Sequence, residues 1–447
     1  MIRLWTVAAL YLANLPFADS MFVVLLTLPM FLMVLVGLYR IRSRQFQIGD
    51  VFWFCLFVYF VISPLQRIHG DRIGGATAIT AYAYEPHEFV AAMLIVVLFC
   101  LPFLFVAMDR AEPAAQAGAL PPPMPVLLVL NGLAFASFVA SQGGMERLLS
   151  SRLEQDPAPP FIGSLFFLGL QSVTACLVAV RFHASRSRLG TSRLAALPPL
   201  LLVVILLAVA RNPFNAPRFM LLAVWGPVML ALYGGRVPAA WFYVAGLLAL
   251  TILFPILDIT TRLGLDGVGD LSDISVVGNF FDIPSVDVFD MAVHAVRFMS
   301  AHDQMWGEKL GAILLFFVPR AVWPGKPVVG GLDVGNELFA AGMYGTPNLS
   351  FFIGCDLYMD FGFAGVALGG VVAAMLLRLV LIAEWGVFGG VSLSRILIAS
   401  SLPILLRGPV GAVLPLFVCQ VAIVLALSRR VRDKVSPVLP DRERLQR

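Results

Sequence analysis

The stretch Phe22-Val-Val-Leu-Leu-Thr-Leu-Pro-Met-Phe-Leu-Met-Val-Leu-Val-Gly-Leu38 carries no charge and is apolar all around a helix. A helix in a soluble core shows an apolar stripe and a polar back, and this one has no back to turn to water. Ala240 to Ile256 reads the same way. The whole chain follows suit: its 447 residues are 60% hydrophobic and only 13% charged, and its mean hydropathy is +0.89. That excludes a water-soluble fold, because soluble domains are roughly half apolar. The expected fold is an all-α polytopic membrane protein of about 11 to 12 transmembrane helices, each near the 20 residues a bilayer needs.

The apolar runs place spans at 4–16, 20–39, 48–65, 88–107, 123–141, 161–182, 194–210, 219–234, 239–257, 361–384, 389–405 and 409–427. Residues 4–16 read either as a short first span or as the apolar part of a signal peptide. Asn14, Pro16 and Asp19 make a poor cleavage region, which favours a retained segment. Basic residues then orient the chain. Arg40, Arg42 and Arg44, next Arg181, Arg186, Arg188 and Arg193, and last Arg429, Arg430, Arg432 and Lys434 fall in alternate connections, as cytoplasmic loops do. This parity puts 66–87, 143–160 and 258–359 on the periplasmic side of a bacterial inner membrane.

Four regions result: an N-terminal transmembrane bundle (1–257), a large periplasmic loop (258–360), C-terminal transmembrane helices (361–428) and a cytoplasmic tail (429–447), polar and disordered from Pro437. No internal repeat stands out. A connection of about 100 residues is longer than compact folds leave idle, so it is the expected seat of function. Within it, Val286, Phe289, Val293, Val296 and Phe298 share one helical face while Asp287, Asp290, His294 and Arg297 lie elsewhere. That pattern predicts an amphipathic helix lying on the bilayer. Leu310 to Val318, too short to span and closed by Pro319, predicts a re-entrant or interfacial helix.

The densest chemical signal is Phe317-Val-Pro-Arg-Ala-Val-Trp-Pro-Gly-Lys-Pro327. Three prolines and Gly325 forbid regular structure and hold Arg320 and Lys326 in a stiff turn beside Trp323. The set reads as a binding site for an anion or as an anchor at the headgroup layer. Arg211 and Arg218 flank Asn212-Pro-Phe-Asn-Ala-Pro217 on the side where cations are disfavoured, and Arg407 interrupts two apolar spans there. Cations so placed point to an anionic ligand or to lipid phosphate. Among the acids, Asp356 and Asp360 stand four apart at the mouth of a span, hence on one helical face, as a proton acceptor or as a cap or ion-pair partner. His294, His302 and Glu308 in the loop read either as further proton acceptors or as merely solvated side chains.

Other classes find no support. Four of the five cysteines, Cys55, Cys100, Cys176 and Cys419, lie inside apolar runs, which argues against disulfides and thiolate clusters. No metal-type His/Asp cluster and no Gly-rich nucleotide loop is present, so neither metal nor cofactor is expected, and nothing points to nucleic acid.

The run Pro319-Arg320, Trp323-Pro324, Lys326-Pro327 resembles the Wzy-type oligosaccharide repeat-unit polymerases. So do Asn212-Pro followed by Arg218, Gly143-Gly144 followed by Arg147, Tyr358-x-Asp-Phe-Gly362 and Arg407-Gly408, together covering nearly the whole chain. Arg320 and Gly331 also satisfy the spacing of an arginine, ten residues and a glycine described for such polymerases. Two positions depart from the pattern: Asp356 stands where Glu is expected and Asp360 where Asn is usual.

The resemblance implies a metal-independent glycosyltransferase. Such an enzyme moves a growing O-antigen or exopolysaccharide chain from undecaprenyl pyrophosphate to a sugar hydroxyl of another lipid-linked repeat, at the periplasmic face. It implies pyrophosphate and glycan binding by Arg211, Arg218, Arg320, Trp323, Lys326 and Arg407, and a base drawn from Asp356, Glu308 and His302. The implied partners are undecaprenyl-pyrophosphate-linked oligosaccharides, the bilayer, and chain-length regulator and flippase proteins. The competing readings are an O-antigen ligase acting on lipid A core, a flippase or other transporter, and a structural membrane protein.

Overall fold

The computed structural model describes residues 1–74, 83–109, 121–149, 162–186, 192–212, 218–253, 255–256, 286–347, 349–383, 385–408 and 410–435. Expectations for 213–217, for the first part of the long connection (257–285) and for the tail from Pro437 lie outside these residues. The first helices are α1 (Ile2–Asn14), α2 (Met21–Tyr39), α3 (Ile48–Arg67) and α4 (Pro86–Phe105). Next come α5 (Met124–Ser141), the short α6 (Met145–Leu149), α7 (Ile162–Arg186), α8 (Ser192–Ala210), α9 (Arg218–Leu232) and α10 (Ala239–Leu253). The last are α11 (Val288–Ala301), α12 (Glu308–Leu314), α13 (Gly330–Ala340), α14 (Ile353–Ala383), α15 (Leu393–Arg407) and α16 (Val410–Val435).

Among the described residues seven helices are long and apolar enough to cross a membrane: α2, α3, α4, α5, α7, α14 and α16. The chain is therefore a helical membrane protein. Shorter apolar helices, α1 with the turn after it, α8, α9 and α10, stand at four more of the expected spans, and α15 at another.

Two apolar cores are built. One joins α1–α4 and α10 to α11, α13 and α14, and the other joins α5, α7, α8, α9 and α16. Helix α15 belongs to both, giving Ile398, Ala399, Leu402 and Leu406 to the first and Leu393, Ile396, Leu397 and Ile404 to the second.

Prolines inside spans open the backbone, and lipid has no donor to close it. Pro227 of α9 lacks the N–H that Ala223 O would accept, and Gln420 Nε2 of α16 donates to that carbonyl at 3.0 Å. Ser172 Oγ of α7 adds a bond to Val224 O at 2.8 Å.

Loop contacts define two ends. At one, Arg3 bonds Ser43 O, Gln45 O at 2.8 Å and Asp50 Oδ1 at 2.5 Å. Phe46 N donates to Val237 O at 2.7 Å, His183 Nδ1 lies 3.2 Å from Leu232 O, and Arg181 reaches Pro121 O at 3.1 Å. Arg3, Arg40, Arg42, Arg44, Arg181 and Arg236 thus crowd one end. At the other, Gln66 bonds Asn14 at 2.7 Å and Gly70 N bonds Asp19 at 2.8 Å.

Three expectations are corrected in detail. Helix α11 does not lie exposed on the surface: its apolar residues and most of its polar face are buried. The Leu310–Val318 run is helical only as part of α12, Glu308–Leu314. The span expected from 361 is continuous with an earlier helical stretch from Ile353, divided by Gly362 at φ 62, ψ −158. At 1.5 Å per residue, residues 363–383 alone measure about 31 Å, which matches the hydrocarbon thickness of about 30 Å.

Candidate functional site

The polar residues of α11 recur at 287, 290, 294 and 297, the three-and-four spacing of a single helical face. Periodicity requires that face to meet polar partners; it does not say the partner is water. The structure supplies protein. Asp290 Oδ2 accepts Arg67 Nε and Nη2, both at 2.7 Å, in a pair whose side chains are 0% and 1% exposed. Asp287 accepts Ser350 N at 3.2 Å, the Ser350 hydroxyl, and Arg407 Nη2 at 3.3 Å. Burial alone would raise the Asp287 carboxyl, but Arg407 and Ser350 hold it below the usual carboxylate range.

His294 sits between two phenols, with Tyr84 at Nδ1 and Tyr344 Oη 3.1 Å from Nε2. Burial, with Arg297 adding to it, pushes the imidazole down to about 3, so the ring is neutral. At the outer end Arg297 grips Glu88 with both nitrogens of its fork, one at 2.7 Å, and its guanidinium lies 4.3 Å from the Tyr84 ring centroid. Sequence reading names the polar face of α11 but misses Arg67, Tyr84, Tyr344 and Ser350. Those partners lie up to 223 positions away, and no local spacing signals them.

Asp356 and Asp360 do share one face of α14, and each caps another helix. Asp360 Oδ1 and Oδ2 accept Lys309 N at 3.0 Å and Leu310 N at 2.7 Å, closing the start of α12. Asp356 Oδ1 accepts Gly330 N at 2.8 Å at the start of α13, where a Cβ on Gly330 would meet that oxygen at 2.8 Å. A glycine is needed for this approach. The other oxygen, Asp356 Oδ2, is buried without a partner among the described residues. Lys309 pairs with Asp333 beside these caps.

The proline-rich turn is bound to itself. Lys326 Nζ donates to the carbonyls of Leu315 at 2.8 Å, Phe316 at 3.1 Å and Val318 at 3.2 Å, so it closes the C-terminal end of α12. Desolvation, with Arg320 nearby, lowers its pKa. Arg320 Nη1 donates to Lys326 O at 3.0 Å, and Arg320 is exposed, as are Leu314, Phe317 and Val322. Trp323 is half-buried, and Glu308 is exposed in the first turn of α12. His302 is exposed and stacks on Phe298 with ring centroids 3.9 Å apart.

Just past the turn, Val329 packs on the start of α16 beside the α15–α16 connection, where a Cβ on Gly411 would meet Val329 Cγ1 at 2.5 Å. Arg407 ends α15 at that connection, with its side chain 20% exposed. Helices α9 and α15 touch at Gly226 and Ser400, since a Cβ on Gly226 would meet Ser400 Oγ at 2.7 Å. Arg218 lies about 12 Å from that crossing along α9 and Arg407 about 10 Å along antiparallel α15, at 1.5 Å per residue. The start of α9 and the end of α15 therefore lie at the end that carries the proline-rich turn. Arg211 is half-buried just past the end of α8, where its carbonyl accepts Trp225 Nε1 at 3.4 Å. Among the described residues no three His, Cys, Asp or Glu converge as a metal site would require.

No protein-family model matches the chain, and no curated protein or solved structure does either.

Proposed function

We propose that this chain polymerises oligosaccharide repeat units carried on undecaprenyl pyrophosphate, working at the end of the bundle opposite the arginine-crowded one. The observation that supports this most is that Arg320, Lys326 and Arg407 stand at that end, where α9 also begins. In the reaction, a hydroxyl oxygen of one lipid-linked repeat attacks the anomeric carbon of the growing chain. The bond from that carbon to the pyrophosphate oxygen breaks, a base takes the hydroxyl proton, and undecaprenyl pyrophosphate leaves with the electron pair. Guanidinium forks suit the charge that grows on the leaving oxygens. In this scheme Arg320 and Arg407 face the pyrophosphate, Asp287 orients Arg407, and Lys326 keeps Arg320 in place by closing α12. The base comes from Asp356, Glu308 or His302.

The test is reconstitution of the purified chain in proteoliposomes with lipid-linked repeat units and no lipid A core. A ladder of glycan lengths is expected. Transfer seen only when lipid A core is added would mean a ligase, and translocation of the lipid without transfer would mean a flippase. The sidedness has its own check: a reporter at Gly235 is expected to behave as cytoplasmic and one at Gly330 as periplasmic. The reverse pattern would overturn the assignment.

A further inference from the structure

Helix α12 lies across the ends of two spans. At its start, Met305 N donates to Met359 O at 3.0 Å, Trp306 N donates to Asp360 O at 3.2 Å, and the Asp360 carboxylate caps Lys309 N and Leu310 N. A Cβ on Gly307 would meet Phe361 Cζ at 3.2 Å. These residues of α14 stand just before Gly362, where the membrane-length segment 363–383 begins. Near the other end of α12, Ile313 Cγ1 lies 3.7 Å from where a Cβ on Gly411 would stand, in the first turn of the α16 span. A helix of seven residues, about 10 Å long, thus touches the beginnings of two spans and sits at the depth where both enter the hydrocarbon.

Its open side is apolar. Trp306, Leu314, Phe317 and Val322 are 56–77% exposed. Trp306 takes φ 48, a left-handed backbone uncommon for a bulky residue, and Gly307 follows at φ 96, so the chain turns into α12 with the indole uncovered. The proline-rich turn is held at the same level, because Lys326 Nζ is tied to the carbonyls that end α12. Phe361, beside Gly307, is exposed as well and begins the apolar surface of the α14 span. An exposed tryptophan and large apolar side chains beside a cation, at the depth of two span ends, have the composition of a headgroup boundary.

We propose that α12 and the proline-rich turn form an amphipathic plate set in the lipid leaflet at that end of the bundle, with Trp306, Leu314, Phe317 and Val322 reaching the acyl chains. Arg320, exposed on the same turn, then stands at phosphate depth, its stem along the apolar surface and its guanidinium among headgroups. The plate rests on the membrane character of the chain alone and holds whatever reaction the chain performs.

The full chain in proteoliposomes tests this through nitroxide labels at Phe317→Cys and Val322→Cys, with the identically treated parent as the blank for its own cysteines. At both positions the ratio of collisions with oxygen to collisions with a water-soluble nickel chelate is expected to stand several-fold above that of the free label in buffer. It should approach the ratio for Leu376→Cys, an exposed position in the α14 span. A ratio equal to that of the free label would place the face in water, and a label shielded from both collision partners would place it under protein; either overturns the proposal. Tryptophan fluorescence gives a second reading without labels. Lipids brominated near the headgroup end of the acyl chain should quench the parent more than Trp306→Phe, and equal quenching of the two would overturn the proposal as well.

Discussion

Acidification should strain the protein at His294. The imidazole is held near 3 in the folded chain against an ordinary value of 6.5. Its neutral form is therefore favoured by folding, and unfolding lets it take a proton. Stability from this group is fully present above about pH 6.5, falls as pH drops through that value, and stops falling only near 3. The gap sets a ceiling of about 5 kcal/mol, at about 1.36 kcal/mol per pH unit. Between pH 7.5 and pH 5 the loss is about 2 kcal/mol. Of the ionisable groups around the ring, Asp287 stays charged across that window because its own pKa lies below the usual range. Arg67 and Arg297 stay charged as well. The assay is equilibrium unfolding in mixed micelles at both pH values, for the parent and for His294→Gln, with other histidines common to both. The parent should lose about 2 kcal/mol more than the variant. Equal losses would mean that His294 is not held neutral between Tyr84 and Tyr344.

Other perturbations separate structure from chemistry. Asp290→Ala should cost about 3–5 kcal/mol because it removes the buried carboxylate paired with the Arg67 guanidinium, while Arg67→Met combined with Asp290→Leu should unfold near the parent midpoint; a silent Asp290→Ala would refute the pair. Asp356→Ala should lose about 0.5–2 kcal/mol with the cap on α13, whereas Asp356→Asn keeps an acceptor for Gly330 N–H and should fold normally. Single-turnover transfer by the Asn variant at the parental rate would make Asp356 a cap alone and pass the base to Glu308 or His302. Arg320→Ala should abolish long glycan at normal protein level, and Arg320→Lys should not restore it, since an ammonium lacks the planar fork. Full chain length in the alanine variant would make Arg320 a lipid anchor.

Much of the fold is legible in the sequence because a membrane span is a local property. Phe22–Leu38 needs no partner to declare itself, and the helices α2 to α5 fall within a few residues of their apolar runs. The amphipathic period of α11 is legible too, but its surroundings are not. Asp287, Asp290, His294 and Arg297 meet Arg407, Arg67, Tyr84 and Glu88, which come from far along the chain. The proline-rich turn shows the same limit. Its sequence announces two positioned cations, yet only the fold reveals that Lys326 faces three carbonyls while Arg320 is exposed. For Asp356 and Asp360 the four-residue spacing gives the shared face, and the helices they cap are found only in three dimensions.

The separation of Arg67 from Asp290 also has a meaning in time. Their 223 positions pass through the ribosome in roughly 10 to 45 seconds at about 5–20 residues per second. Throughout that interval Arg67 ends a span with its counter-charge not yet made. The early helices thus enter the membrane before the carboxylate that Arg67 meets in the finished fold exists, and that pair closes only once α11 has been made.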